Sequence, residues 1–440
     1  MNSDKPLFTV IIPTKDRAVY LKETIRTCIN QNYSNLEIII SDDASSDNTK
    51  EIVEYYSKTD SRVKYIRRDI PLGMRLNFEK TLELVKPGFV LALGGDDGLM
   101  PYAIDDMYNL LEKTKQKLLT WSPPTYVYPD SSNTMGQLMM SLKKFDSKVD
   151  FEIIKTSEFL KRQANNLAYA SDVECPMFYV KGVVSTDLIK NIISKTPGNV
   201  FYACPTPDGY SGIVLAGEVD AFAFSKKPLS IFGLSKNSQG KNYLSKDESA
   251  KELSESFYNS VSDITMHGKL AFQPYSPLIT LMSADYLLKS KDIHKENNSY
   301  PDLDFKNVIS KSVGELMHGL YASDRLLREL KILSKIAELH NLLPFYENLL
   351  KSKRRFIAKD PLIGNAFSFN TLFVEAKPLG IHNIFDASYM VYSQYKSLNQ
   401  VSVSFFLKAL INSVKYRFVS RKRGEKFPFI DQLFNAEIKQ

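Results

Sequence analysis

Two adjacent carboxylates, Asp96 and Asp97, follow an apolar run and two glycines in the segment "VLALGGDDGLMP" at residues 90–101. Like charges side by side repel each other, so such a pair is stable in water or facing a cation. Mg²⁺ and Mn²⁺ prefer oxygen ligands and are often held by one or two carboxylates together with substrate phosphates. The pair therefore suits a divalent cation that faces a diphosphate, although a solvated turn gives the same letters.

The elements before the pair alternate between two hydrophobic periodicities. Short apolar runs predict strands at 8–12, 36–41, 63–68 and 89–94, and helical apolar spacing predicts helices at 18–31, 47–56 and 75–85. Continuous apolar strands separated by helices are typical of right-handed βαβ units around a parallel sheet. The predicted fold class is therefore α/β.

Polar residues follow three of these strands, in "PTKDR", "DDASSDNT" and "GGDDG". The carboxyl ends of parallel strands lie at one edge of the sheet, where ligands bind. We therefore expect a set of polar side chains from distant parts of the chain to converge there, namely Asp16, Arg17, Asp42, Asp43, Asp96 and Asp97.

Other catalytic patterns are missing from the sequence. It contains no GxxxxGK[ST], no GxGxxG after the first strand, no GxSxG and no HExxH. The five histidines are scattered through the C-terminal half, and the three cysteines form no CxxC pair. Nucleotide-binding P-loops, nucleophilic triads and zinc sites are therefore not favoured.

Composition bounds the class of protein and its compartment. The 440 residues are 43% hydrophobic and 24% charged with a net charge of +7, which is typical of a globular chain of two or three domains. The front half of the chain is not basic and no zinc-finger, RRM or KH pattern is present, so nucleic acid is not an expected partner. Without a signal-like start or a long apolar segment, we expect a cytoplasmic protein, soluble or peripheral at the inner face of a membrane.

The rest of the chain is less regular. We predict a strand at 118–129, a helix at 150–164 and a strand, turn and helix at 175–196. Beyond about residue 245, i, i+3, i+4 apolar spacing predicts mainly helices. The predicted domains are 1–245, α/β, and 246–440, mainly α-helical with a basic tail.

The basic tail, residues 407–427, carries seven basic residues against one acid among apolar and aromatic ones. Such a stretch is often a membrane-surface element. A helix packed on its own domain with a solvated basic face explains the same pattern. Both interpretations stay open.

Residues 10–53 and 72–101 together resemble the nucleotide-sugar-binding half of family-2 glycosyltransferases. The motifs are a strand followed by PTxxR, a strand followed by DDxSxD, and a DxD-type acidic pair before a proline. The resemblance covers roughly 7–110 and continues more weakly to about 240. It implies a Rossmann-like GT-A fold and an inverting transfer of a sugar from a nucleotide diphosphate donor.

The resemblance assigns donor-binding roles to four residues near the first two strands. Pro13 and Thr14 would line the nucleotide pocket beside Arg17, and Asp43 would accept a hydrogen bond from the base, usually uracil in this family. Asp96 would lie near the ribose. Asp97 would bind a Mn²⁺ or Mg²⁺ cofactor that bridges the diphosphate and neutralises the leaving group.

An inverting transfer also needs a general base that takes the proton of the acceptor hydroxyl. In this family the base is an Asp or Glu about a hundred residues after the metal pair, at the start of a helix. Asp208 fits that position. A carboxylate there is equally suited to capping the helix. Glu174 and Asp187 are reserve candidates for the base.

The chain departs from the family pattern at several positions. Many relatives have Asn at the position of Asp16 and Arg at that of Leu76. No histidine completes a metal shell in 227–240, where Lys236 or Ser238 would instead contact the diphosphate. These departures concern the metal ligands more than the fold.

Three function classes follow from these observations. The first is a glycosyltransferase, hexosyl- or N-acetylhexosaminyl-type, acting on a glycan or polyprenyl-diphosphate-linked acceptor in surface polysaccharide assembly. The second is a non-catalytic scaffold or glycan-binding protein on the same fold. A sugar nucleotidyltransferase would need a Gly-rich basic loop after the first strand, which "PTKDR" is not. The donor sugar, the linkage and the oligomeric state are left open.

Overall fold

A computed structural model describes residues 5–130, 134–141, 150–236, 248–261, 263–296, 299–318, 321–355, 365–368, 371–397, 409–414 and 425–427. These residues group into two compact units. The first draws its residues from Met1–Phe159, Val173–Lys236 and Leu362–Lys415, and the second from Leu160–Asp172, Asn237–Pro361 and Tyr416–Gln440.

The strands are β1 (Phe8–Thr14), β2 (Leu36–Asp42), β3 (Val63–Arg67), β4 (Phe89–Ala92), β5 (Gly98–Leu99), β6 (Leu118–Trp121), β7 (Thr125–Val127), β8 (Gln137–Ser141), β9 (Phe151–Lys155), β10 (Gly182–Ser185), β11 (Ala221–Ser225), β12 (Ser230–Leu234), β13 (Arg354–Arg355), β14 (Ala366–Ser368), β15 (Thr371–Glu375) and β16 (Glu425–Lys426). The helices are α1 (Ala18–Ile29), α2 (Thr49–Thr59), α3 (Met74–Leu82), α4 (Ala103–Thr114), α5 (Thr156–Asn166), α6 (Thr186–Lys195), α7 (Asp208–Ala216), α8 (Glu248–Ser260), α9 (Ile279–Ile293), α10 (Phe305–Leu316), α11 (Ser323–Leu339), α12 (Leu343–Ser352) and α13 (Ile384–Ser397).

The main sheet of the first unit has the order β3-β2-β1-β4-β10-β6-β11-β9. Strands β1 to β4 pair in parallel, with α1, α2 and α3 connecting them in sequence order. The predicted α/β fold with its parallel βαβ units is therefore confirmed. The carboxyl ends of β1, β2 and β4 meet at one edge, as expected for such units.

Apolar burial explains why these segments form the sheet. In β1, Val10 and Ile12 are fully buried, and Ile38 and Ile40 of β2 are buried beside them. β-branched side chains favour strands because they pack well on a pleated surface. The sheet is thereby fixed as the rigid base from which the loops at its carboxyl edge project.

A second sheet in the first unit has the order β14-β15-β8-β7-β12-β5. The segment 118–129, predicted as one strand, is divided at Pro123 and Pro124 into β6 and β7, which belong to different sheets. The prediction of one helix over 150–164 is wrong at its start. Residues 151–155 form β9, an edge strand paired with β11, and the helix begins at Thr156.

The units differ from the predicted boundary at 245. Described residues of 362–415 belong to the first unit because β15 pairs antiparallel with β8, joining distant parts of the chain. Described residues of 160–172 belong to the second unit, which is mainly helical and contains α8 to α12. In the described part of the chain, no helix has the length and apolar character needed to cross a bilayer.

Glu79 of α3 joins that helix to the loop that precedes α7. The carboxylate is 8% exposed and accepts hydrogen bonds from the backbone N–H of Phe201, at 3.1 Å, and of Tyr202. Burial raises the pKa of Glu79 above its ordinary value, although these two donors act in the opposite direction. The loop leading to Asp208 is thus fixed by a side chain from a distant helix.

Replacing Glu79 by glutamine is expected to destabilise the first unit by about 1–3 kcal/mol, because one buried N–H would lose its acceptor. A thermal unfolding scan should show the Tm lowered by several degrees. Glu83→Gln on the same helix is the matched control, since Glu83 lies exposed beside Lys80. Equal Tm values for the two variants would contradict the assignment.

Candidate active site

The loop between β4 and β5 carries the acid pair, and both of its side chains are shielded from solvent. Asp96 is 3% exposed and Asp97 is 0% exposed. Asp97 Oδ2 accepts a hydrogen bond from the Gly94 N–H at 2.7 Å, and Oδ1 accepts one from the Gly233 N–H at 2.8 Å. The pair is therefore not a solvated turn, and positive charge or protons within the fold must offset its repulsion.

Arg17 supplies one positive charge to the pair. Arg17 Nη1 lies 2.6 Å from Asp96 Oδ2, and Ser235 Oγ donates to the same oxygen at 2.7 Å. Burial opposes the charge of Arg17, but the neighbouring carboxylates and Tyr179 more than offset it and raise the pKa of Arg17. Arg17 therefore remains a cation and neutralises Asp96.

Asp97 has a different electrostatic environment. Burial first, and then the charge of Asp96, raise the pKa of Asp97 well above its ordinary value. The N–H groups of Gly233 and Gly94 and the charge of Arg17 act in the opposite direction without cancelling this effect. Asp97 is therefore the member of the pair that a proton or a bound cation would stabilise most.

The residues at this edge fit a divalent cation that takes part of its coordination from substrate. Among the described residues, no three His, Cys, Asp or Glu side chains form a metal-binding cluster. Thr14 Oγ1 is buried without a hydrogen-bond partner in the described chain and would lie 3.0 Å from a Cβ on Gly95, so it faces the acid loop. Two carboxylates and a hydroxyl are oxygen donors, and phosphate and water oxygens commonly complete such a shell.

Pro13, Thr14 and Asp43 lie together at the carboxyl ends of β1 and β2. Pro13 and Thr14 are in register with Ser41 and Asp42, and the Asp43 N–H donates to the Thr14 carbonyl at 2.9 Å. Both oxygens of the Asp43 carboxylate accept backbone N–H groups of the following loop, from Leu72 at 2.6 Å and Gly73 at 3.0 Å. The structure thus gives Asp43 a loop-fixing role, and its contact with a base stays a prediction.

Asp208 is the first residue of α7, and the helix cap is Pro207 rather than Asp208. Asp208 is thus at the start of a helix, as predicted from the sequence, and its role as the base stays a prediction. Its charge contributes to raising the pKa of both Tyr179 and Tyr202, after burial and other nearby carboxylates. The charges of Asp96 and Asp97 raise the pKa of Tyr179 as well, so this tyrosine is affected by Asp208 and by the acid pair.

For the remaining predicted residues, the structure gives a position and a degree of exposure. Asp187 is exposed in the first turn of α6, and Glu174 is half-buried in the segment before β10. Lys236 is exposed and directly follows Ser235, whose hydroxyl contacts Asp96. Ser238 lies outside the described residues.

Tyr179 is a site residue that the sequence did not reveal. An ideal Cβ on Gly94 would lie 2.3 Å from Tyr179 Oη, 2.7 Å from Asp97 Oδ2 and 3.1 Å from Asp96 Oδ1. The hydroxyl therefore lies on the same face of Gly94 as both carboxylates. An aromatic residue in an apolar segment has no distinguishing spacing, so no signal in the sequence marks it.

The backbone beside Tyr179 is strained. Val180 has φ +65, a left-handed conformation that is rare for a β-branched residue and costs about 1–3 kcal/mol. The Lys181 N–H donates to the Tyr179 carbonyl at 2.9 Å, which makes a three-residue turn. Two hydrogen bonds hold this turn in place. The Val180 N–H donates to the Ala92 carbonyl at 2.8 Å, and Ser230 Oγ donates to the Val180 carbonyl at 2.5 Å.

The fold and the site together define a class of protein. A parallel Rossmann-like sheet that continues through the antiparallel strand β10, with an acidic pair after β4, is a GT-A fold. Residues 9–178 match the family model described as glycosyl transferase family 2. The matched residues include the segments whose motifs resemble that family.

Curated relatives match the same region. The chain is 38% identical over 103 residues to a GalNAc(5)-diNAcBac-PP-undecaprenol beta-1,3-glucosyltransferase of Campylobacter jejuni, covering 23% of this chain and 33% of that protein. It is 32% identical over 97 residues to the putative teichuronic acid biosynthesis glycosyltransferase TuaG of Bacillus subtilis, covering 22% and 38%. The chain thus spans about a third of the length of these relatives.

A solved structure is similar over a longer range. The S. aureus TarS 1–349 structure in complex with UDP-GlcNAc matches 81% of this chain and 94% of that chain, at 13% identity and a TM-score of 0.43.

Proposed function

We propose that this protein is an inverting glycosyltransferase that moves a sugar from a nucleotide diphosphate donor, a UDP-sugar, to a hydroxyl of a glycan or glycolipid acceptor. The observation that carries the proposal is the placement of Arg17, Asp96 and Asp97 at the carboxyl edge of a family-2 domain. The charge of Asp208 raises the pKa of Tyr179, as the charges of Asp96 and Asp97 do. An intact set of charged residues favours an enzyme over a scaffold or a glycan-binding protein on the same fold.

The chemistry assigned to Asp208 is proton removal. The acceptor hydroxyl oxygen attacks the anomeric carbon, the bond from that carbon to the diphosphate oxygen breaks, and the nucleoside diphosphate leaves with the electron pair. The hydroxyl proton passes to the Asp208 carboxylate. Attack from the face opposite the leaving group inverts the anomeric configuration.

The residues assigned to the donor act on its negative charge. Arg17 holds Asp96 neutralised, while Asp97, with Asp96 beside it, would hold Mn²⁺ or Mg²⁺. When bound, this cation would neutralise charge on the departing diphosphate. Lys236, exposed beside the acid pair's partner Ser235, is assigned to the diphosphate as well.

The proposed acceptor is supported by the names of two relatives. That of the Campylobacter jejuni relative includes GalNAc(5)-diNAcBac-PP-undecaprenol, and that of the Bacillus subtilis relative includes teichuronic acid biosynthesis. These names support an acceptor of the same kind, in surface polysaccharide assembly at the inner face of the membrane. Whether a hexosyl or an N-acetylhexosaminyl group is moved is a question for donor screening.

Calorimetric titration with UDP, GDP, CDP and TDP, each with and without Mn²⁺, tests the donor site. Metal-dependent binding of UDP supports the proposal. The affinity for UDP compared with the affinities for GDP, CDP and TDP measures the selectivity for the base. Failure of all four nucleotides to bind would favour the scaffold or glycan-binding alternative.

The basic tail is proposed to contact the membrane that carries the acceptor. In its described residues 409–414, which are helical, Leu410, Ile411 and Val414 are 55%, 53% and 46% exposed. Ala409 and Ser413 are buried on the other side. Exposed aliphatic side chains flanked in sequence by basic residues suit an anionic lipid surface.

Replacing Leu410, Ile411 and Val414 together by serine is expected to reduce sedimentation with phosphatidylglycerol vesicles by more than half at low salt. The wild type should also lose binding as the salt concentration rises. Three exposed aliphatic residues elsewhere, changed to serine in the same way, provide the control: Leu84, Ile153 and Leu379. Unchanged sedimentation of the first triple variant would exclude this surface.

A further inference from the structure

The hydroxyl of Tyr179 is a hydrogen-bond donor at the acid pair that the proposed mechanism does not yet use. A phenol is protonated at neutral pH and can donate one hydrogen bond. The side chain is half-buried, and its hydroxyl lies on the face of Gly94 that both carboxylates share. Phe78 packs against the ring at a centroid distance of 6.0 Å and restricts its orientation.

The direction of this hydroxyl is fixed by the backbone. The strained turn at Val180 is held at both ends, by the Ala92 carbonyl and by Ser230. Strain of this kind persists only where neighbouring contacts fix it, and it is concentrated at functional sites. The absence of a side chain on Gly94 then leaves room for Oη beside the carboxylates.

We propose that Tyr179 is a donor-site residue whose hydroxyl donates a hydrogen bond to the diphosphate of the nucleotide sugar. This inference rests on the proposed function. A diphosphate that approaches Arg17 and the acid pair brings anionic oxygens to the face of Gly94 that Tyr179 shares. A prepositioned O–H donor there stabilises the charge that develops as the nucleoside diphosphate leaves.

Tyr179→Phe removes only the hydroxyl, so its effect on nucleotide binding is a direct test. We expect the affinity for UDP in the presence of Mn²⁺ to fall by about 10- to 100-fold, as for a lost hydrogen bond to a charged group. The affinity for UMP, which lacks the second phosphate, should change by less than about 3-fold. Equal losses for UDP and UMP, or no loss for either, would overturn the proposal.

Tyr126→Phe is the matched control, because it removes a hydroxyl that is buried without a partner in the described chain and to which no donor-binding role is assigned. It should bind UDP as the wild type does. Wild-type protein that binds neither nucleotide would refute the proposed function itself, whereas a normal wild type with an unaffected Tyr179→Phe variant refutes only the role of Tyr179.

Gly94→Ala provides an independent test of the same geometry. The added methyl group would lie 2.3 Å from Tyr179 Oη and 2.7 Å from Asp97 Oδ2, so the variant should lose UDP affinity through both contacts even though the hydroxyl is retained. In a double-mutant cycle, Gly94→Ala should cost less in the Tyr179→Phe background than in the wild type. Strictly additive losses would show that the two residues do not share a contact and would contradict the placement of the hydroxyl.

Discussion

Asp208→Asn is expected to lower the rate of sugar transfer by about 10²- to 10⁴-fold while leaving nucleoside diphosphate binding unchanged. The asparagine amide has the same shape as the carboxylate, but it cannot take up the proton of the attacking hydroxyl group at neutral pH. The loss should therefore be in kcat, with little change in the KM for the donor. Steady-state transfer assays together with UDP titration separate the two effects.

Glu158→Gln is the control for this variant. Glu158 lies, like Asp208, in the first turn of a helix, but it is exposed. Its replacement should leave turnover within about 2-fold of the wild type, as for other surface changes remote from a site. Turnover of Asp208→Asn within a few-fold of the wild type would show that another group is the base, and Glu174 would then be tested next.

Asp97→Asn is expected to remove the metal-dependent part of nucleotide binding. The asparagine oxygen can still accept from one of the two glycine N–H groups, but its amide nitrogen meets the other donor and carries no charge for a cation. UDP affinity in Mn²⁺ should fall by about 10- to 100-fold or more, to the value measured without metal. Calorimetry with and without Mn²⁺ measures the difference.

Glu158→Gln serves again as the control, because it removes one negative charge at an exposed position with no assigned role in the site. A UDP affinity of Asp97→Asn that still rises on adding Mn²⁺ would show that the cation is held elsewhere. A variant that has lost its far-UV circular dichroism spectrum would need Asp97→Glu in its place, which keeps the charge and should retain some metal dependence.

The sequence was informative where local patterns determine structure. Apolar β-branched runs predicted β1 to β4, and the rule that parallel strands share a carboxyl edge placed Arg17 near Asp96. The sequence patterns did not predict β9, because its residues mostly face solvent at a sheet edge and have no clear period-2 pattern. They also could not show that Asp97 is wholly buried, because burial depends on strand β12 from far along the chain.

Contacts between distant segments account for the residues that were missed. Tyr179 and Glu79 owe their roles to a strained turn and to backbone groups more than a hundred residues away. Both oxygens of Asp43 accept backbone N–H groups at Leu72 and Gly73, a pairing that the sequence did not indicate, and the contact of Asp43 with a base stays a prediction. A single sequence has no local feature that records such pairings.

The pairing of β15 with β8 has a consequence for synthesis of the protein on the ribosome. The second sheet of the first unit cannot be completed until the chain has been made beyond β15, after the whole of α8 to α12. Until then β8 presents an open edge of unpaired backbone groups, which is a template for aggregation. A fragment ending near residue 245 would retain that open edge permanently, so recombinant production is best attempted with the C-terminal strands included.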